Sequence, residues 1–377
     1  MACAASASAR AQLFSESFES GDLDAGGWSS STVLAGSTLT LTSLAAHRGQ
    51  YGLRIQDTGT GMKGVAGTNV SRPLPVLPVA IYSRAWVRMQ AWNGQGDGIG
   101  LWGLAAPQKA NIGSLHAVGV NYQTALTLTL QAYDAAASYH FLSTATPDVL
   151  SDAGWHLVEG ATFGVGTDAG FAVEYVDGAE ATRVGPVENI PDRDTSLYLG
   201  EAYISTGGTG NFAGIVDVDD VAVDVLPLPS HLVLDAGGPS VAAGCQRVTL
   251  SLAASAPGPD GGAAQNVAAP YDVVARPQGA AFFSDSQCTL PSATWTLVRG
   301  SAAASLFARF EDAGVTVVTA TQTPSPDFLP AQLALTVLPS DSASRSDYAL
   351  NCGVADGGAV LSAALLLLLA ARKRRRL

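Results

Sequence analysis

One pattern recurs along this chain: short runs in which apolar and polar residues alternate, as in TLTLTS (38–43), LTLTLQAY (126–133) and VTLSLAA (248–254). A period of two puts every second side chain on one face, so each run predicts a strand with one buried and one polar face. Helix-period patterns are nearly absent outside the C-terminal tail. The chain is therefore expected to be all-β. Its 377 residues exceed one typical domain and fit two plus appendages.

The formal net charge is −12, and five basic residues are concentrated at 372–376, so the rest of the chain carries −17. An acidic surface without a basic stripe repels phosphate backbones, which excludes nucleic acid as the expected partner. It suits divalent cations and the exterior of an extracellular protein. The cysteines are Cys3, Cys245, Cys288 and Cys352, and no CxxC or Cys/His spacing suggests zinc. Cys245 and Cys288 can pair in an oxidising compartment, although their spacing alone leaves two buried thiols equally open. The tail described below favours the disulfide. MACAASASARAQLF (residues 1–14) ends like a secretory signal, with ASARA before Gln12 as a cleavage site. It lacks the charged start and the apolar core of one, so residues 1–12 are expected to be a remnant of a longer leader.

Residues 13–228 form one compositional block, in which turn signals such as DTGTG, GQGDG and DAG separate strand-like runs at sandwich spacing. FESGDL and Trp28, AHRGQYGLRI, AGWHLVEG, FAVEYVDG, LYLGE and VDVDDVAV follow one another in an order that resembles the concanavalin-like jelly rolls, which include laminin-G-like and carbohydrate-binding modules. The resemblance implies a jelly-roll β-sandwich with saccharide recognition. LPLPS (226–230) reads as a Pro-punctuated linker. Residues 231–339 hold a second β block, in which AGCQRVTLSL, FFSDSQCTL and ARFEDAGVTVVTA resemble a bacterial immunoglobulin-like domain. Trp295 follows both cysteines, so the Cys…Trp…Cys order of antibody domains is missing. Such domains serve as spacers, and this block is expected to be one. Residues 340–351 are a polar spacer.

The chain ends in a tail at 352–377. A run of small and apolar residues, 357–371, is expected to form a single hydrophobic helix of ~22 Å, short of the ~30 Å hydrocarbon core. The basic cluster 372–376 would hold it on the cytoplasmic side. A buried core helix and a permanent membrane anchor are the competing readings. Cys352-Gly353, the apolar run and the arginines resemble, in that order, the MYXO-CTERM sorting signals of myxobacteria and related Gram-negative bacteria. That resemblance implies transient anchoring in the inner membrane, cleavage at Cys352-Gly353 by a sorting protease within the membrane, and delivery to the cell surface. This tail has a single Cys where many such signals carry more, which leaves lipid attachment to Cys352 open.

Candidate chemistry is sparse. The jelly-roll resemblance implies a structural Ca²⁺ between the first and last strands, with Glu19, Asp219 and Asp220 as ligands and carbonyls of His47-Arg48-Gly49 beside them. The alternative is that these acids cap strand ends in solvent. EYVDGAE offers Glu174, Asp177 and Glu180 for glycosidase chemistry, which needs two facing carboxylates. Glu174 and Asp177 fall on opposite faces, and Asp177-Gly178 reads as a type I′ hairpin turn. In SRAWVRMQAW, alternation places Arg84, Trp86, Arg88, Gln90 and Trp92 on one face and Ala85, Val87, Met89 and Ala91 on the other. The first face suits a saccharide, with Tyr122 and Tyr133 on neighbouring strands. Its alternative is a buried Trp86 with the arginines at the rim. GQGDGIGLWG lacks the helix that a dinucleotide loop requires and is expected to be a plain loop. The histidines, including His116 and His156, form no catalytic pattern and are expected to be structural.

The reading that results is an exported, surface-sorted protein that binds a polysaccharide or surface glycan without cleaving it. A hydrolase or lyase of the jelly-roll fold and a structural envelope protein are the alternatives.

Overall fold

The computed structural model describes residues 13–339 apart from 29, 59–67, 75–79, 93–95, 106–113, 123–125, 135–139, 148–149, 165–169, 188–195, 201–212, 259–265 and 325. The expected leader remnant, the spacer from 340 and the tail with Cys352 and Gly353 lie outside these residues. Among the described residues no helix is long and apolar enough to cross a membrane.

The architecture is all-β, in two sandwiches. The first sheet orders its strands Ala179–Val187, Gly170–Val176, His156–Phe163, Ile81–Trp92, Ala213–Asp224, Gly52–Thr58 and Thr38–Thr42, with Phe14–Glu16 also paired to Ala213–Asp224. The second sheet orders His140–Pro147, Leu126–Asp134, Ser114–Tyr122, Gly96–Ala105, Ser196–Gly200, Asn69–Pro73 and Ser30–Thr32. Aliphatic side chains that alternate inward from both sheets, such as Leu53, Ile55, Val87, Val216 and Val218 facing Val70, Leu197 and Leu199, make one core. Within this core Phe18 stacks on Trp28 at 6.1 Å, and Phe14 meets the same indole edge-on at 5.7 Å.

GQGDGIGLWG departs from its expectation as a loop. Gly96–Ala105 is a strand, and its pairing with Ser114–Tyr122 slips at Gly96/Ile99, Gly100/Trp102 and Leu104/Ala105. Glycines here accommodate bulges inside a strand rather than ending it. The hairpin at Asp177-Gly178 forms as expected, with φ of 50° and 80° at its two central residues.

The second sandwich packs a sheet of His231–Asp235, Gly244–Ala253, Ala303–Phe310 and Ala281–Phe283, with Asn266–Val267, against a sheet of Ser240–Ala242, Ala331–Leu338, Gly314–Gln322, Val273–Gln278 and Trp295–Leu297. Trp295, Phe328 and Leu250 lie at its centre. Cys245 and Cys288 are joined by a disulfide across 43 residues, Cα–Cα 5.8 Å. Closing such a loop stabilises by roughly 4 kcal/mol on the chain-entropy model.

The LPLPS segment is not a free linker. Leu228 and Ala256 are buried against Tyr82, Phe163, Val173 and Ala222 on the outer face of the first sheet, so the second sandwich is docked on that face.

Glu174 points the other way, from the side of its strand shared by Ala172 and Val176 into the first core. It is fully buried, and among the described residues neither carboxyl oxygen has a hydrogen-bond partner. Burial holds its pKa well above the ordinary 4.5, so the folded protein keeps it protonated while the unfolded chain ionises. Its contribution to stability is full below the unfolded pKa and is lost as pH rises toward the folded one, by about 1.4 kcal/mol per pH unit. Glu174→Gln removes this slope. Urea unfolding at about pH 5, 6 and 7 is expected to show the variant gaining on the parent with each step.

Candidate functional site

The outer face of the Ile81–Trp92 strand organises the site. Alternation places Tyr82, Arg84, Trp86, Arg88 and Gln90 outward, while Ala85, Val87 and Met89 enter the core. The second sandwich covers the first half of this row. Tyr82 Oη donates to Pro257 O at 3.0 Å, Arg84 Nη1 to Pro229 O, and Trp86 Nε1 to Asp327 O at 3.4 Å. The Arg84 guanidinium also lies over the Phe328 ring. Arg84 and Trp86 are each 6% exposed, so these two candidate saccharide residues face protein instead of solvent.

The seam is polar as well as apolar. Burial pulls the Arg84 guanidinium down from its ordinary pKa, against the opposing charges of Asp327, Asp220 and Glu159. Glu159 is pushed up to about 7 by burial, opposed by hydroxyl hydrogen bonds, among them Ser255 Oγ at 2.6 Å. Asp327 is raised to about 6 by burial and by Asp220, with Arg48 opposing. Arg48 Nε stands 2.8 Å from Asp327 Oδ1, an ion pair whose N–H is not aligned into a hydrogen bond.

Beyond the seam the row opens. Asp217, on Ala213–Asp224, lies directly opposite Arg54 on one neighbouring strand and Arg88 on the other. Its fully buried carboxylate accepts from Arg54 Nε (2.7 Å) and Nη2 (2.9 Å), Arg88 Nε (3.1 Å) and Nη2 (2.8 Å), and Gln90 Nε2 (2.7 Å). Two guanidiniums on one carboxylate leave a local surplus of positive charge on an acidic protein. Trp155 stands beside them, half-buried, with Arg88 4.6 Å above its ring. His47 stacks on Trp86 at 4.0 Å and meets Trp155 edge-on at 5.3 Å, so the buried and open ends of the row share one aromatic column.

Two devices fix this column. His156, next to Trp155, bonds Asp177 through Nδ1 (2.7 Å) and Asp152 through Nε2 (2.8 Å). The Asp177 hydrogen bond, outweighing burial and joined by Asp152, raises its pKa to about 9, so His156 is a cation that donates from both nitrogens at neutral pH. The second device is the turn 46–51. Asp219 Oδ2 accepts from His47 N (2.8 Å) and Arg48 N (3.2 Å), Asp220 Oδ1 takes Arg48 Nη2 (3.0 Å), and Glu19 accepts from Gln50 N and Tyr51 N. Gly49, at φ 74°, leaves room for the Glu19 carboxylate where a Cβ would stand.

Glu19, Asp219 and Asp220 are thus gathered around the His47-Arg48-Gly49 turn. These carboxylates already face backbone N–H groups, the Arg48 guanidinium and the His47 ring, so the oxygen lone pairs that a calcium ion would take are directed at donors. Among the described residues no group of three or more His, Cys, Asp or Glu side chains is placed to hold a metal ion. Burial and the neighbouring Asp220 push Asp219 up to about 8. In Asp220 burial acts upward too, but His47 and Arg48 outweigh it and hold the group low.

The remaining candidates are dispersed. Glu174 is in the core, Asp177 is bound to His156, and Glu180 pairs with Arg183 at 2.8 Å. Trp92, Tyr122 and Tyr133 lie on strands, and their side chains are outside the described ones. Arg54, Trp155 and Asp217 were not singled out from sequence. The signal for Asp217 was present in VDVDDV, where alternation puts it on the same face as Asp219. What pairs it with Arg54 and Arg88 is strand order.

No family model matches this sequence, and no curated relative matches it. Among solved structures, an endo-β-1,4-glucuronan lyase from the fungus Trichoderma reesei is similar with 17% identity and TM-score 0.44, over 57% of this chain and 96% of that one. The cellulose induced protein Cip1 is similar with 19% identity and TM-score 0.39, over 57% and 98%. A botulinum neurotoxin type G receptor binding domain matches 82% of this chain and 72% of its own with 10% identity and TM-score 0.37. Likenesses at this level do not say which residues act on a ligand.

Asp217→Asn leaves two half-buried guanidiniums facing each other without their counter-charge. The cost expected is about 3 kcal/mol, read as a lowered urea midpoint. Melting in calcium and in EDTA is expected to give the same temperature, since N–H donors already hold the 46–51 turn. A higher melting temperature in calcium would mean that the turn presents its carbonyls to a cation.

Proposed function

We propose that this protein is exported and that its first sandwich binds a polysaccharide at the open end of the outer row, without cleaving it. The observation that carries the proposal is the grouping of Arg54, Arg88 and Gln90 on Asp217 beside the indole of Trp155. Planar donors fixed by a buried carboxylate can bond sugar hydroxyls or carboxylates, and an indole offers the apolar face on which a pyranose stacks. These donors are already ordered by Asp217, which lowers the entropy cost of binding.

Export is supported by the Cys245–Cys288 disulfide, a bond that persists in oxidising compartments. The tail adds the second support, with Cys352-Gly353 as the proposed processing point, a sorting protease as partner, and the surface of a Gram-negative bacterium as destination.

The full chain, tested against a panel of neutral and acidic polysaccharides, is expected to retain at least one. Trp155→Ala and Arg88→Ala are each expected to weaken retention about tenfold, the equivalent of ~1.4 kcal/mol. No reducing or unsaturated ends should accumulate. Their release from any member of the panel would replace this proposal with a hydrolase or a lyase.

A further inference from the structure

Among the described residues, Asp327 links the second sandwich to the open site. Asp327 reaches back to the first sandwich twice, with its carboxylate beside Arg48 Nε at 2.8 Å and its carbonyl accepting from Trp86 Nε1 at 3.4 Å. Between those two contacts lies His47, the residue before Arg48, whose ring is stacked on Trp86 at 4.0 Å and set against Trp155 at 5.3 Å. Trp155 in turn carries Arg88 over its face. A continuous set of contacts therefore runs from a residue of the second sandwich, through a turn and an indole of the first, to the side chains proposed to meet the saccharide.

Asp327 is 1% exposed, and its hydrogen-bond capacity is poorly used: among the described residues neither carboxylate oxygen has an aligned hydrogen bond, and Arg84 Nε, whose charge Asp327 also feels, has no partner either. A buried charge so incompletely satisfied contributes little to stability and is costly to bury. What it does provide is position. Arg48 is held between Asp327 on the second sandwich and Asp220 on the first.

We infer that Asp327 is a positioning residue for the saccharide site, and that the second sandwich is a working part of that site instead of a spacer. The inference rests on the reading of the Trp155–Arg88 end as the binding surface. Without the Asp327 carboxylate, Arg48 keeps Asp220 alone, the 46–51 turn loosens, and His47 no longer fixes the edge of Trp155. The saccharide then meets an indole and a guanidinium that must be ordered on binding, which weakens affinity.

The test uses the full chain, with Asp327→Ala, Arg48→Ala, the double variant and Trp155→Ala, all studied well below their melting temperatures. Asp327→Asn, which keeps the shape and removes the charge, replaces Asp327→Ala if that variant does not fold. Two quantities are measured: amide hydrogen exchange of residues 46–51, and affinity for the polysaccharide that the parent retains. The expected result is faster exchange and about tenfold weaker binding for Asp327→Ala and for Arg48→Ala, with the double variant no worse than either. A purely structural role would lower the melting temperature and leave the affinity of the folded protein unchanged. Parent-like affinity in Asp327→Ala, with binding lost in Trp155→Ala, overturns the positioning role and leaves the binding site standing. Parent-like affinity in both variants overturns the binding site as well. Parent-like exchange at 46–51 in Asp327→Ala overturns the clamp whatever the affinities.

Discussion

A buried carboxylate is costly to leave without a partner, and the Ala213–Asp224 strand buries four: Asp217, Asp219, Asp220 and Asp224. Much of the structure around the site can be traced to how the first three of them are satisfied. The strand is central, paired to Ile81–Trp92 along one edge and divided between Gly52–Thr58 and Phe14–Glu16 along the other. Asp217 draws Arg54 and Arg88 from the two adjoining strands. The bulge between Asp219 and Ala222 opens where Gly52–Thr58 leaves off and Phe14–Glu16 begins. There Asp219 and Asp220 collect the backbone and side chains of the 46–51 turn. Asp220, at φ 49°, is turned by the bulge toward His47 and Arg48.

These pairings divide the outer face of the first sheet in two. At one end Tyr82, Arg84 and Trp86 are committed to the second sandwich and the LPLPS segment before it, through the carbonyls of Pro257, Pro229 and Asp327 and the ring of Phe328. At the other end Arg54, Arg88, Gln90 and Trp155 stay accessible, already ordered by Asp217 and by the column from Trp86 through His47. A row that alternation presents as one uniform surface thus has two uses, and their boundary falls between Trp86 and Arg88. Glu159, Ser255 and Ser230 complete the docked end with hydroxyl hydrogen bonds, so the seam joins the sandwiches through polar contacts as well as through Leu228 and Ala256.

The strands, their faces and the Asp177-Gly178 turn were legible in the sequence because each depends on neighbours a few residues away. Ala85, Val87 and Met89 enter the core opposite Arg84, Trp86 and Arg88, as a period of two requires. The glycine run at 94–103 was misread for an equally local reason: glycine marks turns and bulged strands alike, and only pairing with Ser114–Tyr122 separates them. The site was half legible. Arg88 and Gln90 stood out by composition. Trp155, just ahead of the His156–Phe163 strand, and Asp217, one acid in an acidic run, had nothing local to distinguish them. Glu19, Asp219 and Asp220, read from sequence as calcium ligands, do gather at one turn, but whether that turn offers its carbonyls or its N–H groups depends on peptide orientation, which sequence does not carry.

By itself, then, the sequence determined the all-β architecture, the inward and outward assignment of side chains along strands such as Ile81–Trp92, and which cysteines share a sandwich. Tertiary structure alone decided which outward residues meet solvent. Trp86 is covered by a carbonyl 241 residues further along the chain, and Arg84 by one 145 residues away. Contacts at such separations depend on how the second sandwich and the segment leading to it sit on the first, and no periodicity within a strand carries information about the surface that covers it.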